Sequence, residues 1–487
     1  MSLHKQIYNV GVPEYWQTVM PPLQHSLVGD AVMMNQFEPL VGRGTQGMLV
    51  PLAAKSWEFS QDKRILKFHI DTSRRFSDGS SLYAEDFKRS WEDGLRLQPK
   101  SSNSSLTDAL ANLNGFDQFR GKEGIAGIKV VSSDILELEF DKPVRNALEH
   151  LSGVRYAAYK IIDGKPVGTG PYVMAEENQV LTLRVNMYYA GKAPALQNVK
   201  IVAVPNKEAL KKLQDGSIDA FLFAEVAGIT GCSDGKLKQI KCAIGQEGTH
   251  LIVTLNGMSG RFFSDSLHRR AFQSLLLRRL AEPKNSWPQQ LLVDGFFLDP
   301  QSFLKFQAGR LTESEAQAII DKGAPHIQRF VQATQAHPLE LSQHWDWLID
   351  FLVSKGVKVG VPFEAKDRLS MTYKTFKPDI LLMGASVSDA DPDGLYHLLG
   401  RNGAIFSPMW ERPGVTEGME SGRQLLDPAE LPKHYQDVSR KILEEVPYVH
   451  VGYLSRSIAY NSEKFKISES VRSRSDDPGI RLFEPAE

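Results

Sequence analysis

The sequence is poor in cysteine: Cys232 and Cys242 are the two in 487 residues. Two thiols cannot fill a tetrahedral zinc site, and nine intervening residues match no redox motif. The pair could close a hairpin-sized loop, and in an oxidising compartment such a disulfide would contribute about 2–3 kcal/mol. A run of 18 or more apolar residues is also missing, which excludes a helix of membrane-spanning length. Charge of one sign does not dominate. With 57 Lys and Arg against 58 Asp and Glu, the net charge is −1, and no global field recruits nucleic acid or an anionic membrane. Internal repeats and low-complexity tracts are lacking. No signal peptide opens the sequence, which leaves two expectations: a cytoplasmic protein, or a mature form whose export signal is replaced by a short leader.

Catalytic signatures are equally scarce. The sequence contains no HExxH and no KTG. Its 12 histidines form no tight cluster; His337 and His344 could share a helix face, but Pro338 interrupts it. Residues 42–47 read GRGTQG, a literal GxGxxG. Extended chain follows from Met48 to Trp57, where a phosphate site needs a helix N-terminus. Ser60 and Lys63 match SxxK, but in a turn between strands, whereas that catalytic pair must open a helix. Asp389, Asp391 and Asp393 match the start of an EF-hand loop; Gly400 stands where the bidentate Glu belongs. No cofactor, metal or enzyme activity is expected. Arg269-Arg270 and Arg278-Arg279 read as a solvated helix face whose stems pack on the core.

What is present is an ordinary globular composition, 42% hydrophobic and 24% charged. At ~150 residues per domain, the length predicts about three domains. The segment from Pro51 to Trp91 is the most informative. Trp57 and Phe59 alternate, as do Leu66, Phe68 and Ile70, so each set lines one face of a strand. Gln61, Asp62 and Lys63 turn the chain between them. Asp78-Gly79 supplies a second turn where a positive φ is cheap. Ser80 or Ser81 can cap the following helix, with Glu85 and Asp86 in its first turn and Phe87, Trp91 and Leu95 on one face.

Further along, Gly127 to Phe140 reads as a hairpin, and residues 167–172 read VGTGPY. Strands are expected at Val180–Val185, Lys200–Val204, Ile218–Phe223, Leu251–Asn256, Pro378–Leu382 and Tyr448–Leu454. Helices are expected at Lys207–Gln214, capped by Gly216, at Asp265–Leu280 with Leu267, Ala271 and Leu275 inward, at Pro432–Glu445, and ending at Trp347–Leu352.

These motifs, in this order, resemble the family 5 extracytoplasmic solute-binding proteins, the dipeptide and oligopeptide receptors of ABC importers. The resemblance rests first on Pro51, Leu52, Ala53, Ser56 and Trp57, then on Phe76, Asp78, Gly79, Ala84, Glu85, Asp86, Ser90 and Trp91. It continues through the GTGPY at 168–172, Asn186 and Tyr189, then Gly216, Ile218 and Asp219. Asn256, Phe263, Asp265, Arg270 and Ala271 complete it. It implies an α/β, bilobal periplasmic-binding-protein-like fold of type II, cluster C, with an extra domain, mixed sheets and a two-strand hinge. Domain I would comprise 1–35, 165–247 and 448–487; domain II, 36–164; domain III, 248–447. A cleft between lobes would enclose the solute.

The resemblance also places candidate binding residues. In relatives the strand end after Leu382 faces the cleft, and an aspartate four residues before a proline pairs with the ligand's α-ammonium. An ammonium enclosed away from water must meet an anion; deleting such a partner costs about 3–5 kcal/mol. Here that position holds Ser388, preceded by Ser386 and followed by Asp389 and Asp391. If a bulge turns Asp389 inward, the ligand is a cationic peptide or amine. If Ser388 offers only its hydroxyl, the ligand is neutral or anionic, such as a sugar. Relatives with this fold also bind nickel complexes and oligosaccharides. Tyr15 and Trp16, after the first strand, and Arg401 and Trp410 are further candidates, each set against ordinary packing or exposure. The implied protein is a monomeric receptor that hands a peptide, or a sugar or metal complex, to an ABC permease, in the periplasm or anchored outside the membrane. The alternative is the ligand-sensing domain of a cytoplasmic transcription regulator, which would carry a helix-turn-helix before residue 1.

Overall fold

The computed structural model describes residues 6–13, 16, 18–24, 27–43, 48–97, 106–119, 123–225, 237, 239–280, 309–323, 330–333, 350, 353–354, 377–386, 392–403, 406–467, 480 and 483–486. The chain divides into two units: Met1–Glu247 with Ser455–Glu487, and Gly248–Leu454.

The first unit opens with β1 (Tyr8–Val12), α1 (Leu27–Met33) and the antiparallel pair β2 (Val41–Arg43) and β3 (Leu49–Pro51). Next come β4 (Ala54–Phe59), β5 (Ile65–Ile70), α2 (Ala84–Arg96), α3 (Thr107–Leu110), β6 (Ile128–Ser132), β7 (Ile135–Glu139) and α4 (Ala147–Leu151). These strands form an antiparallel sheet in the order β4-β5-β7-β6. Leu66, Phe68 and Ile70 alternate inward from β5 and meet Phe87 and Trp91 of α2 in one apolar core. On the other face Glu58, Lys67, Glu137 and Lys129 stand in register across the four strands, so unlike charges are cross-strand neighbours.

The chain continues through the short antiparallel pair β8 (Lys160–Ile162) and β9 (Lys165–Val167), then β10 (Tyr172–Glu177), β11 (Val180–Val185), β12 (Asn198–Ala203), α5 (Asn206–Gln214), β13 (Ala220–Glu225) and β14 (Ile240–Leu255). The main sheet of this unit runs β10-β11-β12-β1-β13, with β1 parallel to both β12 and β13. Val199 and Ile201 face one core, while Val204 and Phe221 face a second with Ala209 and Leu213 of α5. A sheet buried on both faces follows from this β-α-β order.

In the second unit β14 leads to α6 (Ser266–Leu280), α7 (Glu313–Gly323), β15 (Phe330–Ala333), β16 (Ile380–Ser386), α8 (Tyr396–Leu399), α9 (Pro413–Gly422), α10 (Leu431–Glu445) and β17 (Tyr448–Asn461). β16 pairs antiparallel with β14 and parallel with β15. The apolar run Ile380-Leu381-Leu382 is buried on both faces. Ile380 and Leu382 meet α6 and α7, and Leu381 meets α8, α9 and α10. β17 carries the chain back to the first unit, which ends with the antiparallel pair β18 (Phe465–Ile467) and β19 (Phe483–Pro485). Both boundaries between units, 247/248 and 454/455, fall inside long strands.

Several local expectations are revised. Neither Ser80 nor Ser81 caps α2: Ser80 Oγ donates to Asp78 Oδ1 at 2.7 Å in the preceding turn, and the helix starts three residues after Ser81's bridge to Arg75. Leu267 is exposed, because α6 begins only at Ser266 and its first turn lies outside the core. β14 and β17 extend well beyond the strands expected at Leu251–Asn256 and Tyr448–Leu454. The expected helix end at Trp347–Leu352 lies outside the described residues except for Asp350.

Candidate functional site

The motif residues of the first unit are braces. Asp86 Oδ2 accepts the Tyr83 N–H at 2.9 Å and so caps α2 from within. Ser90 Oγ donates to the Tyr159 carbonyl at 3.1 Å and accepts its N–H at 2.9 Å, and Trp91 Nε1 donates to the Tyr156 carbonyl at 2.8 Å. The helix is thus fastened to the segment that leads to GTGPY. That motif lies against the backbone of Gln36. The Gly170 N–H donates to the Gln36 carbonyl at 2.8 Å, Gln36 Nε2 donates to the Pro166 carbonyl at 2.6 Å, and Gln36 Oε1 accepts the Met174 N–H at 2.5 Å. A Cβ on Gly170 would lie 2.6 Å from the Gln36 carbonyl carbon, and one on Gly168 would overlap the Gln36 oxygen. Close backbone approach is what these two glycines supply. Glu38 is buried beside them, with Arg74 Nη1 at 2.5 Å and the Tyr189 hydroxyl at 3.0 Å.

In the second unit Asn256 closes the end of β14, its Nδ2 donating to the carbonyls of Lys377 and Pro378 at 3.2 and 3.0 Å. Arg269, read in the sequence as part of a solvated face, is buried, while Arg270 is exposed. Its guanidinium donates to the carbonyls of Phe263, Ser264 and Glu445 and to the Glu445 carboxylate. Arg412 is buried nearby and donates to the carbonyls of Glu411 and Leu255. Burial, and then the Arg269 charge, bring Arg412 down to about 10. Loose carbonyls at the C-terminus of α10 attract cations, which favours this arrangement.

A second buried group follows β16. Arg423 Nε lies 3.0 and 3.1 Å from the two oxygens of Asp393, and both residues are buried. The guanidinium carbon sits 3.2 Å above the centre of the Tyr396 ring. The Tyr396 hydroxyl donates to Glu420 at 3.0 Å, and Glu420 Oε1 accepts the Arg401 N–H at 2.9 Å. Burial raises the Tyr396 phenol; Arg423 opposes that shift and Glu420 adds to it. Both oxygens of Asp393 thus face Arg423. Among the described residues no group of three His, Cys, Asp or Glu side chains could hold a metal ion.

Of the candidate site residues, Ser388, Asp389, Asp391 and Tyr15 lie outside the described residues. Ser386 is the last residue of β16, its backbone opposite Thr249 of β14. Trp16 belongs to the first unit's apolar core, and its carbonyl accepts from Gln24 Nε2 at 2.8 Å. Trp410 belongs to a core of the second unit, with Nε1 donating to the Leu398 carbonyl at 3.0 Å. Arg401 is exposed, 3.7 Å from Glu411. The structure thus brings Arg401 into the Arg423 group through its backbone, and gives Trp16 and Trp410 packing roles. Sequence reading missed Arg423, Tyr396 and Glu420. The signal available was Asp393 directly after Pro392, an acid too close to a buried strand to remain unpaired.

The model of the bacterial extracellular solute-binding proteins, family 5 (middle), matches residues 48–276. Over that span, just under half of its length, the chain is similar to this family. Its relatives include the periplasmic murein peptide-binding protein MppA of Escherichia coli (strain K12), 27% identical over 206 residues, 39% of this chain and 38% of MppA. Protein XP55 of Streptomyces lividans is 22% identical over 485 residues, covering 91% of this chain and 83% of XP55. The solved structure of the E. coli murein tripeptide-binding protein MppA superposes with a TM-score of 0.80 at 19% identity, over 99% of both chains. That of AgaA from A. tumefaciens R10, in complex with agropinic acid, gives 0.79 at 18% identity, again over 99% of both. The fold class is therefore the α/β periplasmic-binding-protein class. No helix among the described residues is long and apolar enough to cross a membrane.

Proposed function

We propose that this protein belongs to the family 5 solute-binding proteins, that it is the receptor of an ABC importer and that its solute is a peptide. The likeness to MppA in both sequence and fold carries this reading. The candidate binding loop is 386–391, with Ser386, Ser388, Asp389 and Asp391; Tyr15, and Arg401 beside the loop's far end, are the further candidates. Because Ser388 stands where an aspartate is expected, Asp389 is assigned the α-ammonium. Domains I (1–35, 165–247, 448–487), II (36–164) and III (248–447) remain the proposed division, with capture on closure of the lobes. The proposed location is outside the cytoplasmic membrane, as a monomer with a Cys232–Cys242 disulfide.

Calorimetry with tri-alanine, N-acetyl-tri-alanine and agropinic acid tests the reading. Tri-alanine should bind, and acetylation should weaken it by about a hundredfold or more, the measure of an unpaired enclosed carboxylate. Equal binding of both peptides would remove Asp389 from the amine role. Binding of agropinic acid alone would favour the second reading, a non-peptide acid held by Ser388.

A further inference from the structure

Val446 joins α10 to β17 in a conformation that its own chemistry opposes. Its φ is 46° and its ψ 63°, in the left-handed region. Among the described residues it is the one β-branched residue with a positive φ. That region brings Cβ against the following carbonyl, and branching at Cβ worsens the clash. Pro447 comes next, and a residue before proline prefers the extended region. Sterics alone would make Val446 extended, continuous with β17.

Its surroundings hold it where it is. The Val446 N–H donates to the Ile442 carbonyl at 2.8 Å and closes the last turn of α10. Its side chain is fully buried in the core with Val253, Leu255, Phe272 and Val449. On one side the Glu445 carbonyl accepts Arg269 Nε at 2.6 Å. On the other the Pro447 carbonyl accepts the Leu255 N–H at 3.2 Å, which seats the start of β17 against the end of β14. Extending Val446 swings one flanking peptide relative to the other, so these last two contacts cannot both survive.

The grip on Glu445 is itself opposed. Arg412 is buried at the same corner, with Nε 3.5 Å from the Glu445 carbonyl. The Glu445 carboxylate that meets Arg269 is half-exposed. Two desolvated cations beside one partly solvated anion repel each other more than the anion offsets. Strain and repulsion thus meet at one corner, and such strain persists only while the surroundings over-determine it. We infer that Glu445–Pro447 is a conformational latch. Arg269 holds Val446 left-handed; release lets Val446 extend and frees the start of β17 from β14. Because β17 carries the chain from the second unit back to the first, the latch sets how firmly that strand is anchored where it begins. The inference uses no residue of the proposed binding loop and stands whatever the solute.

Two substitutions of Val446 test the strained state. Val446→Ala and Val446→Gly both remove the buried side chain, so they differ in backbone preference. Alanine is the more stable at an ordinary φ, and glycine in the left-handed region. The unfolding constant of Val446→Gly in urea should therefore be about tenfold lower than that of Val446→Ala. Arg269→Met tests the latch. Hydrogen exchange at the Leu255 amide should be about tenfold faster or more than in wild type, while amides in the middle of α9 change by less than about threefold. If Arg269→Met does not fold, the Val446 pair still decides, with Leu255 exchanging faster in Val446→Ala than in Val446→Gly. An alanine variant as stable as the glycine variant, or equal acceleration at Leu255 and α9, would overturn the inference.

Discussion

The Tyr189 hydroxyl donates a 3.0 Å hydrogen bond to the buried carboxylate of Glu38, 151 residues earlier in the chain. Arg74 holds the other oxygen, so three segments distant in sequence meet at one acid. Truncating that acid removes the closest anion of a largely buried guanidinium and leaves it, among the described residues, only Asp71, 3.5 Å from its Nε. Glu38→Ala should therefore destabilise the protein by about 3–5 kcal/mol. Urea unfolding followed by tryptophan fluorescence measures it, and a loss near zero would show that Glu38 is no anchor.

Two glycines should respond with opposite signs. A Cβ on Gly168 would overlap the Gln36 carbonyl oxygen, whose backbone cannot retreat cheaply. Gly168→Ala should cost about 1–3 kcal/mol. Gly153 has φ −71° and ψ 144°, a conformation alanine adopts freely, and its nearest neighbour is 3.4 Å from the new Cβ. Gly153→Ala should stabilise by about 0.4–1 kcal/mol by restricting the unfolded chain. The same urea titration reads both.

Cys242 is disulfide-bonded. Cys232, the other cysteine of the sequence, lies outside the described residues. Cys242→Ser should lower stability by about 2–3 kcal/mol. Reductant should lower the melting temperature of wild type by a matching amount and leave the variant unchanged. A response of the variant to reductant would show that the effect is not the disulfide's.

Strong acid should act on exposed turns. Asp62, Asp134 and Asp215 are each held below the usual aspartate value, chiefly by the hydroxyls of Ser60, Ser132 and Ser217. A carboxyl lowered on folding stabilises fully above its unfolded value, about 3.9, and that contribution disappears as pH falls through the folded value. Replacing Ser60, Ser132 and Ser217 by Ala together should flatten the fall in urea midpoint below pH 4 while changing little of its slope from pH 5 to 7. An unaltered acid limb would place the loss elsewhere.

What the sequence made legible was local and periodic. Alternation located β4 and β5, and Asp78-Gly79 located the turn, with Gly79 at φ 87°. The Ser60–Lys63 turn was readable too, with Lys63 at φ 57°. The cap of α2 was not, because Ser80 prefers Asp78, two residues away, to a helix that starts later. Arg269 and Arg270 look identical in sequence; which one is buried depends on the carbonyls at the end of α10, 176 residues on. The Arg423–Tyr396–Glu420 group was invisible for the same reason: its members belong to two helices whose packing no short-range pattern encodes. The lengths of β14 and β17 depend on pairing partners far away in the chain, so alternation reported only part of each.

Native mass spectrometry of freshly purified protein, followed by release and identification of whatever it carries, tests solute capture most directly. A single small peptide, retained in a one-to-one complex and recovered unchanged after exchange with added tri-alanine, is the predicted result. A bound molecule that the protein converts into another species, or no retention of any peptide offered, would contradict the account.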